Sequence, residues 1–331
     1  MRVLVTGGAG YIGSHVVLQL AEGGHEAVVY DNLSTGFAWA VLDSELVVGD
    51  LADTEKLERL VRERSFVAVI HLAAHVSVPE SVADPLKYYR NNTCNTAALL
   101  QICGRFGVGI LVFSSTAAAY GIPDRLPVGE DAPLAPINPY GASKVMSERM
   151  IMDLAAVAPL RYLIFRYFNV AGANAQGRIG QATPEATHLI KVGCETALGN
   201  RPKFTVYGTD YSTPDGTCVR DFIHVVDIAR AHLDGLRHLR DGGRSAVLNV
   251  GYGHGSSVLE VIDVVKRVAG VDFPVVHGPR RSGDPPELVA DNRRIGEVLG
   301  WEPRHDDLDF IVRTALDWER KMVRRPGTPP R

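Results

Sequence analysis

The chain has 331 residues, of which 46% are hydrophobic and 22% charged, and its 35 basic and 38 acidic side chains give a net charge of −3. This length predicts about two domains of roughly 150 residues each, and the composition excludes an intrinsically disordered chain. The near-neutral charge argues against a protein that coats nucleic acid or binds a membrane surface. No apolar run reaches the ~18 residues that a membrane helix needs.

The N-terminal sequence and the cysteines predict a cytoplasmic protein. The first apolar stretch is short, is followed by glycines and lacks the cleavage site of a signal peptide. The cysteines, at positions 94, 103, 194 and 218, show neither a disulfide framework nor the spacing of metal ligands. We therefore expect a reducing compartment and no bound metal.

Short apolar runs alternate with longer amphipathic stretches through the first two thirds of the chain. The predicted strands are Arg2–Thr6, Ala27–Tyr30, Glu45–Gly49, Val67–His71, Gly109–Phe113 and Arg161–Arg166. Most are apolar throughout, as expected of strands that are covered on both faces. One helix is predicted over 85–106, with Leu86, Tyr89, Thr93, Ala97, Leu100 and Cys103 on its buried face. The alternation predicts an α/β fold with a doubly wound, Rossmann-type parallel sheet.

The strand–helix rhythm ends after about Phe168. Residues 171–184 are rich in Gly, Ala and Asn, and 207–217 and 278–286 read as loops. We expect a nucleotide-binding domain over 1–170 and a smaller C-terminal substrate-binding domain over 171–331, with a strand at Val247–Gly251 returning to the large sheet. Three prolines in the last eight residues predict a frayed end.

A glycine-rich turn follows the first predicted strand and opens a helix. Gly7, Gly10 and Gly13 have the spacing G-x-x-G-x-x-G. Glycine permits a tight turn, close approach of the backbone to phosphates and close helix–strand packing. The free N–H groups at the helix N-terminus favour a pyrophosphate. The second strand ends at Asp31, where a carboxylate binds ribose hydroxyls and repels a 2′-phosphate, which favours NAD over NADP.

Tyr140 and Lys144 are four residues apart and lie on one face of a predicted helix that Pro139 introduces. A free tyrosine has a pKa of ~10. A nearby ammonium, together with a positively charged nicotinamide, would lower that pKa and allow the phenolate to take a proton from a sugar alcohol. The segment from Phe113 to Thr116 lies at the C-terminal end of a predicted strand, where α/β sheets place their ligands. We expect the Thr116 hydroxyl to relay the proton or hold the reacting oxygen.

These motifs, with three further segments, resemble the extended short-chain dehydrogenase/reductase superfamily and, within it, the UDP-glucose (UDP-galactose) 4-epimerases. The resemblance runs from Met1 to about Trp318 and is carried by Val5–His15, Asp31–Ser34, Tyr140-x-x-x-Lys144, Arg166–Asn169 and Asp215–Val225. The last of these segments is the most specific to epimerases.

The resemblance implies a tightly bound NAD. Around the pyrophosphate, the ribose, the adenine and the nicotinamide it implies Tyr11, Ile12, Asp31, Asn32, Leu33, Ser34, Thr35, Gly36, Asp50, Leu51, Leu72, Ala73, Ala74, Asn91, Lys144 and Phe168. For a UDP-hexose substrate it implies Thr116, Tyr140, Asn169, His188, Leu189, Val206, Tyr207, Arg220, Arg281 and Asp284. It also implies a homodimer built from the helices that carry 91–106 and 140–154.

The reaction that the resemblance implies is interconversion of UDP-galactose and UDP-glucose by transient oxidation at C4, with Tyr140 as the base. Leu288 stands where bulky residues of this family exclude N-acetylated sugars, so acceptance of UDP-N-acetylhexosamines, or of UDP-pentoses, remains an alternative. A 4,6-dehydratase is disfavoured because Ala117-Ala118-Ala119 follows Thr116 in place of an acidic pair. A non-catalytic NAD-binding regulator would not need Tyr140 and Lys144.

Overall fold

The structure, a computed structural model, describes residues 1–183, 186–281 and 283–323, so the predicted frayed end at 324–331 lies outside the described residues. The strands are β1 (Arg2–Thr6), β2 (Glu26–Asp31), β3 (Glu45–Val48), β4 (Ala68–His71), β5 (Ile110–Thr116), β6 (Arg161–Tyr167), β7 (Asn169–Ala171), β8 (Phe204–Tyr207), β9 (Val219–Arg220), β10 (Phe222–His224), β11 (Ala246–Val250), β12 (Ser256–Ser257), β13 (Val275–Gly278) and β14 (Glu287–Leu288). The helices are α1 (Tyr11–Glu22), α2 (Thr54–Arg64), α3 (Val78–Ala83), α4 (Pro85–Tyr88), α5 (Asn95–Arg105), α6 (Pro139–Val157), α7 (Leu189–Ala197), α8 (Val225–Arg240), α9 (Val258–Ala269), α10 (Arg293–Leu299) and α11 (Leu308–Val323).

A seven-stranded parallel sheet organises the fold. Its strand order is β3-β2-β1-β4-β5-β6-β11, and each neighbouring pair runs parallel. The predicted α/β, Rossmann-type fold is confirmed. The strand order reverses between β1 and β4, and in such sheets the crevice beyond the carboxyl ends of the strands at this point binds the ligand.

Alternate residues of the central strands enter two different apolar layers, because successive side chains of a strand point to opposite faces. Val3 and Val5 belong to the cluster on one face, and Leu4 belongs to the cluster on the other. All three side chains are fully buried. Coverage of both faces explains why these strands read as continuous apolar runs.

The single helix predicted over 85–106 is wrong in detail. The structure has α4 and α5 joined by a π-helical turn over Tyr89–Cys94. The buried Asn92 side chain accepts a hydrogen bond from the main-chain N of His75 at 2.9 Å and donates to the Ser143 hydroxyl at 3.0 Å. The wider turn changes the helical register, so Leu86, predicted on the buried face, is 65% exposed. Cys103, C-terminal to the turn, is buried as predicted.

Three smaller sheets and the strand β11 come from the second half of the described chain. β7 pairs with β10, β8 pairs with β13, and β9 lies between β12 and β14. β11 pairs in parallel with β6 and extends the large sheet. Among the described residues, no helix is long and apolar enough to cross a membrane.

The buried carboxylate of Asp227 joins the start of α8 to the segment before α11. It accepts hydrogen bonds from the Tyr252 hydroxyl at 2.7 Å and from the main-chain N–H groups of Arg304 at 2.9 Å and His305 at 2.8 Å. Burial alone raises the pKa of this carboxyl, but the hydrogen bonds from His305 and Tyr252 outweigh burial and hold the pKa below its usual value. The stabilisation is therefore present above the unfolded pKa of ~3.9 and is lost as the pH falls through the folded pKa.

We expect Asp227→Ala to lower the free energy of unfolding by about 3–5 kcal/mol at pH 7, because it leaves buried donors without their acceptor. Urea denaturation followed by circular dichroism measures the change. Asp234→Ala is the matched control, because both carboxylates lie on α8 and each is 3.1 Å from an arginine three residues further along the helix. The partner of Asp227 is Arg230, which is 15% exposed, and the partner of Asp234 is Arg237, which is 56% exposed. The control should cost less than about 1 kcal/mol. Equal costs for the two variants would contradict the structural role assigned to Asp227.

Candidate active site

The glycine-rich turn between β1 and α1 lies at the point where the strand order reverses. Gly7 has a φ of +74°, and a Cβ on it would lie 2.5 Å from the main-chain N of Ala73. A Cβ on Gly13 would overlap the carbonyl oxygen of Gly7. The turn therefore packs directly against the segment after β4, at a distance that only glycine permits.

The start of α1 fits an anion. Gly10 is its N-cap residue and provides no side-chain cap for the first amide groups, which belong to Tyr11 and Ile12 and the residues after them. Uncapped N–H groups and the helix dipole both favour a phosphate at this position. The glycines predicted from the sequence are thus placed as a pyrophosphate site requires.

Asp31 fixes the loop that follows β2. One carboxylate oxygen accepts from the main-chain N of Ala9 at 3.0 Å, and the other accepts from that of Leu33 at 2.8 Å. Burial raises the pKa of this carboxyl, and the two backbone hydrogen bonds oppose the rise. The carboxylate therefore lies beside the glycine turn, and each oxygen keeps lone pairs with which to accept ribose hydroxyls.

The remaining residues predicted around the adenosine lie close to this loop. Asn32 donates to the Asp50 carboxylate at 2.7 Å, and a Cβ on Gly36 would lie 2.8 Å from the carbonyl carbon of Ala9. The exposed residues of the loop, from Asn32 to Thr35, are therefore held between the glycine turn and the end of β3. Leu51 is buried in the apolar layer on this side of the sheet.

The segment after β4 approaches the π-helical turn. The main chain of His75, which follows Leu72, Ala73 and Ala74, is bound on both its N–H and C=O by the Asn92 side chain, at 2.9 and 3.0 Å. The Asn91 amide donates to the same Asn92 oxygen at 3.0 Å. The structure thus brings the segment 72–74 and Asn91 to one side of the glycine turn.

Helix α6 begins so that Tyr140 lies near the end of β5. Asn138 caps the helix by accepting from the main-chain N of Gly141 at 2.9 Å, and Pro139 occupies the first turn. A Cβ on Gly141 would lie 2.6 Å from the carbonyl oxygen of Ala118. The glycine therefore permits the close contact between the helix and residues 117–119.

Tyr140, Thr116 and Lys144 form one group, in which Thr116 and Lys144 are buried and Tyr140 is half-buried. The Thr116 side chain is the hydrogen-bonding neighbour that lowers the pKa of the Tyr140 phenol. The Thr116 oxygen already accepts from the main-chain N of Ala118 at 3.1 Å, which leaves its proton to donate to the phenol oxygen. Lys144 donates to the Ser114 carbonyl oxygen at 2.7 Å and lies 4.8 Å from the centre of the Phe113 ring.

Burial acts on the two titratable groups in opposite directions. It raises the pKa of Tyr140, and the hydrogen bond from Thr116 opposes that rise. Burial lowers the pKa of Lys144 to about 7, and the Glu148 carboxylate opposes that fall. The protein by itself therefore does not give Tyr140 the lowered pKa expected from the sequence. The reason is desolvation of the phenolate, which a positively charged nicotinamide beside the phenol would offset.

Three residues predicted to bind substrate surround one small cavity of about 20 Å³, which is about the room of one water. They are Asn169 on β7 and His188 and Leu189 at the start of α7. Lys191 and Trp318, which sequence reasoning missed, line the same cavity. Their positions combine α7 with the C-terminal helix, and no local sequence pattern signals that packing.

Tyr207 and Arg281 meet at the edge formed by β8 and β13. The Arg281 guanidinium lies 4.0 Å from the centre of the Tyr207 ring, which is 39% exposed. An exposed ring with a cation on it offers a stacking face to a base and a charge to a phosphate. Val206, the residue before Tyr207 on β8, is fully buried. Asp284 is half-buried and follows Arg281 in the same loop.

Arg220 and Leu288 are register partners on β9 and β14. The Arg220 guanidinium donates to the carbonyl oxygens of Val219 at 2.9 Å and Pro286 at 3.4 Å. Leu288 packs in one buried cluster with Phe168 and Ala117, the residue after Thr116. The cluster connects the β5 end of the site to the segment that carries Arg220.

Two further buried carboxylates lie near the site but were not predicted as site residues from the sequence. Asp221 accepts from the main-chain N of Tyr252 at 2.8 Å and of Gly253 at 2.9 Å, so it holds the end of β11. Glu148 contacts Ser115 and Arg166 beside the site. Glu148 is four residues after Lys144 on the same helix, and this spacing could have predicted that it lies on the face that carries Tyr140 and Lys144. Within the described residues, no cluster of three or more His, Cys, Asp or Glu side chains could hold a metal.

Comparisons with known proteins by sequence and by structure both find epimerases. Residues 3–251 match the model of the NAD dependent epimerase/dehydratase family. The UDP-glucose 4-epimerase of Azospirillum brasilense is 55% identical over 98% of this chain and 94% of that protein. The crystal structure of UDP-glucose 4-epimerase from Brucella ovis in complex with NAD has a TM-score of 0.93 at 46% identity, covering 96% of this chain and 97% of that one. The structure of the UDP-Glc/GlcNAc 4-epimerase from Campylobacter jejuni has a TM-score of 0.84 at 48% identity, covering 97% and 99%.

We expect Gly13→Ala to abolish binding of NAD, the dinucleotide that Asp31 favours, because its Cβ has no room against the Gly7 carbonyl. Dinucleotide released from the purified variant by heat, measured by absorbance, should fall below about a tenth of the wild-type amount. Gly104→Ala is the control: it is also a helical glycine, but a Cβ there meets nothing within 4 Å, so the variant should keep its cofactor. Full occupancy of Gly13→Ala would contradict the proposed packing.

Proposed function

The chain belongs to the NAD dependent epimerase/dehydratase family, as its resemblance predicted, and on that premise we propose that it interconverts UDP-galactose and UDP-glucose by inverting C4 of the hexose. The observation that carries the proposal is the group of Tyr140, Thr116 and Lys144 at the carboxyl edge of the sheet. The glycine turn lies at the same edge. A proton-transferring phenol beside a dinucleotide site is what reversible oxidation of a sugar alcohol requires.

Tyr140 is the base in this proposal. Its phenolate oxygen takes the proton of the sugar 4-hydroxyl and later returns it to the same oxygen. Thr116 donates its proton to the phenolate and accepts from the sugar 4-hydroxyl, so it holds that oxygen in place and relays the proton. Lys144, anchored on the Ser114 carbonyl, stabilises the phenolate by its charge and binds the nicotinamide ribose. NAD, when bound, supplies the acceptor and donor of the C4 hydride.

Inversion requires a firm hold on UDP and a weak hold on the hexose, because the oxidised sugar has to present its other face without escaping. We assign the firm hold to Arg220 and Arg281 at the pyrophosphate, to Tyr207 and the main chain of Val206 at the uracil, and to Asp284 at the uridine ribose. We also assign to UDP binding Asn169, His188 and Leu189. The Tyr207 ring supports the assignment, since it is partly exposed and lies against the Arg281 guanidinium.

Around the dinucleotide we assign Gly7, Gly10, Gly13, Tyr11 and Ile12 to the pyrophosphate. The ribose and adenine side consists of the loop at 31–36 with Asp50 and Leu51, and the nicotinamide side of Leu72, Ala73, Ala74, Asn91 and Phe168. These residues adjoin one another around the glycine turn, the ends of β2, β3 and β4 and the start of β7, which supports one continuous site.

We propose further that the chain forms a homodimer through α5 and α6 and works in the cytoplasm. Val157 and Met146 on α6 are 85% and 47% exposed, so this helix offers apolar surface to a second copy of the chain. Free cysteines suit a reducing compartment, and all four cysteines are free in the structure.

We expect Tyr140→Phe to lower kcat by at least about 100-fold, because it removes the group that moves the proton. The assay incubates the purified protein with UDP-galactose, without added NAD, and follows UDP-glucose. Tyr162→Phe is the control, because Tyr162 lies near the N-terminal end of β6, away from the carboxyl ends of the strands where the site lies. This variant should keep wild-type turnover. Retained turnover in Tyr140→Phe would overturn the assignment of the base. A 4-keto-6-deoxy product from the wild type would indicate a dehydratase, and no conversion by NAD-loaded protein would indicate a binding protein.

UDP-N-acetylhexosamines are a second candidate substrate class, which Leu288 supports. Its side chain, of intermediate size, packs on Phe168 beside Thr116, so its volume limits the room around the sugar. We expect Leu288→Tyr to lower activity on UDP-N-acetylglucosamine relative to UDP-galactose at least about tenfold. Val289→Ile is the control, because Val289 faces Gly255 instead. An unchanged ratio in Leu288→Tyr would show that this residue does not determine the choice.

A further inference from the structure

Helix α6 contacts the end of β5 at three consecutive residues. Lys144 donates to the Ser114 carbonyl oxygen at 2.7 Å, and the Ser115 hydroxyl donates to the Glu148 carboxylate. The next strand residue, Thr116, is the hydrogen-bonding neighbour that lowers the pKa of Tyr140. Tyr140, Lys144 and Glu148 are spaced by four residues and therefore lie on one face of the helix. Each helix residue meets a different strand residue, so the contacts fix both the height and the rotation of the helix against the strand.

Glu148 is the part of this arrangement that the proposed chemistry does not use. Its side chain is fully buried, and it accepts from Arg166 Nε at 3.1 Å and from Arg166 Nη2 at 2.7 Å. Ser115 and Arg166 are register partners on β5 and β6. The carboxylate therefore binds both strands at one level, one residue before Thr116.

The hydrogen-bond network continues from Arg166 to β11, the neighbour of β6 in the large sheet. Arg166 Nη1 donates to the Tyr120 hydroxyl at 2.9 Å, and this hydroxyl donates to the Asn249 side chain on β11 at 2.6 Å. Buried charges are costly unless every hydrogen bond is made. A network of this kind stays in one arrangement, because any shift of the helix leaves a buried group unpaired.

We propose that Glu148 is a positioning residue, which through the Ser115 hydroxyl sets the end of β5 against α6 and so brings the Thr116 and Tyr140 hydroxyls together. The inference rests on the proposed function, in which these two hydroxyls share the reacting oxygen. Loss of the Ser115–Glu148 contact then lowers kcat, because a displacement of about 1 Å at reacting groups can cost up to about 100-fold. Binding of UDP is unaffected, because none of its assigned contacts changes.

Ser115→Ala tests the inference, since it removes only the strand side of the contact and leaves the Glu148–Arg166 pair. We expect kcat for UDP-galactose to fall about ten- to a hundredfold with KM within about twofold, and the crystal structure to show the Tyr140–Thr116 hydrogen bond lengthened or lost. Ser147→Ala is the matched control: this serine is equally buried, adjoins Glu148 and donates only to main-chain oxygens of Asn92 and Ser143. It should keep kcat within about twofold.

Glu148→Gln provides the second measurement. If Glu148 acts through Ser115, the double variant Ser115→Ala/Glu148→Gln should have about the kcat of the lower single variant, not the product of both losses. Fully multiplied losses, an unchanged kcat in Ser115→Ala, or a fall in kcat with the Tyr140–Thr116 bond intact would each overturn the inference. A wild type that does not epimerise UDP-galactose refutes the proposed function alone, and the hydrogen bond in the two crystal structures then decides the positioning role.

Discussion

The ion pair of Glu148 and Arg166 is the interaction on which the geometry of the site depends. It joins α6, which carries Tyr140 and Lys144, to the two strands whose ends form the floor of the site. Both side chains are almost completely buried, so the pair has no competing water and a strict geometry. Through Tyr120 it also reaches β11, a strand contributed by the second half of the chain. Helix α6 is thereby connected to three neighbouring strands of the sheet, β5, β6 and β11.

The same desolvation that gives the ion pair its strict geometry sets the electrostatics of the catalytic group. Lys144 is buried and Tyr140 is half-buried, and desolvation shifts the pKa of each toward its neutral form. Neither shift favours the phenolate–ammonium pair that proton transfer uses. A cationic ring at this edge of the sheet changes the balance, because it stabilises the phenolate at short range in a medium of low dielectric constant. The fold thus links the acidity of Tyr140 to occupancy of the dinucleotide site.

One short stretch of chain connects the two nucleotide-binding regions that we propose. Arg166 belongs to the buried network, Phe168 packs against Leu288, and Asn169 lines the cavity at the start of α7. The main-chain N of Asn169 donates to the carbonyl oxygen of Asp221 at 2.8 Å, and the Asp221 carboxylate holds the end of β11. The residues proposed to act at C4 and those proposed to bind UDP are therefore connected by the same buried contacts. This arrangement suits a reaction in which only the sugar moves.

The sequence by itself determined the parallel sheet, the dinucleotide turn and the Tyr140–Lys144 pair, because apolar runs, glycine spacing and a helical interval of four are local properties of the chain. The tertiary structure alone revealed the π-helical turn, in which the Asn92 side chain bonds His75 and Ser143, and the exposure of Leu86. It also decided the partners of Glu148 and the contact of Arg281 with Tyr207. These contacts join residues that are distant along the chain, and their energies depend on burial that exists only once the layers have packed.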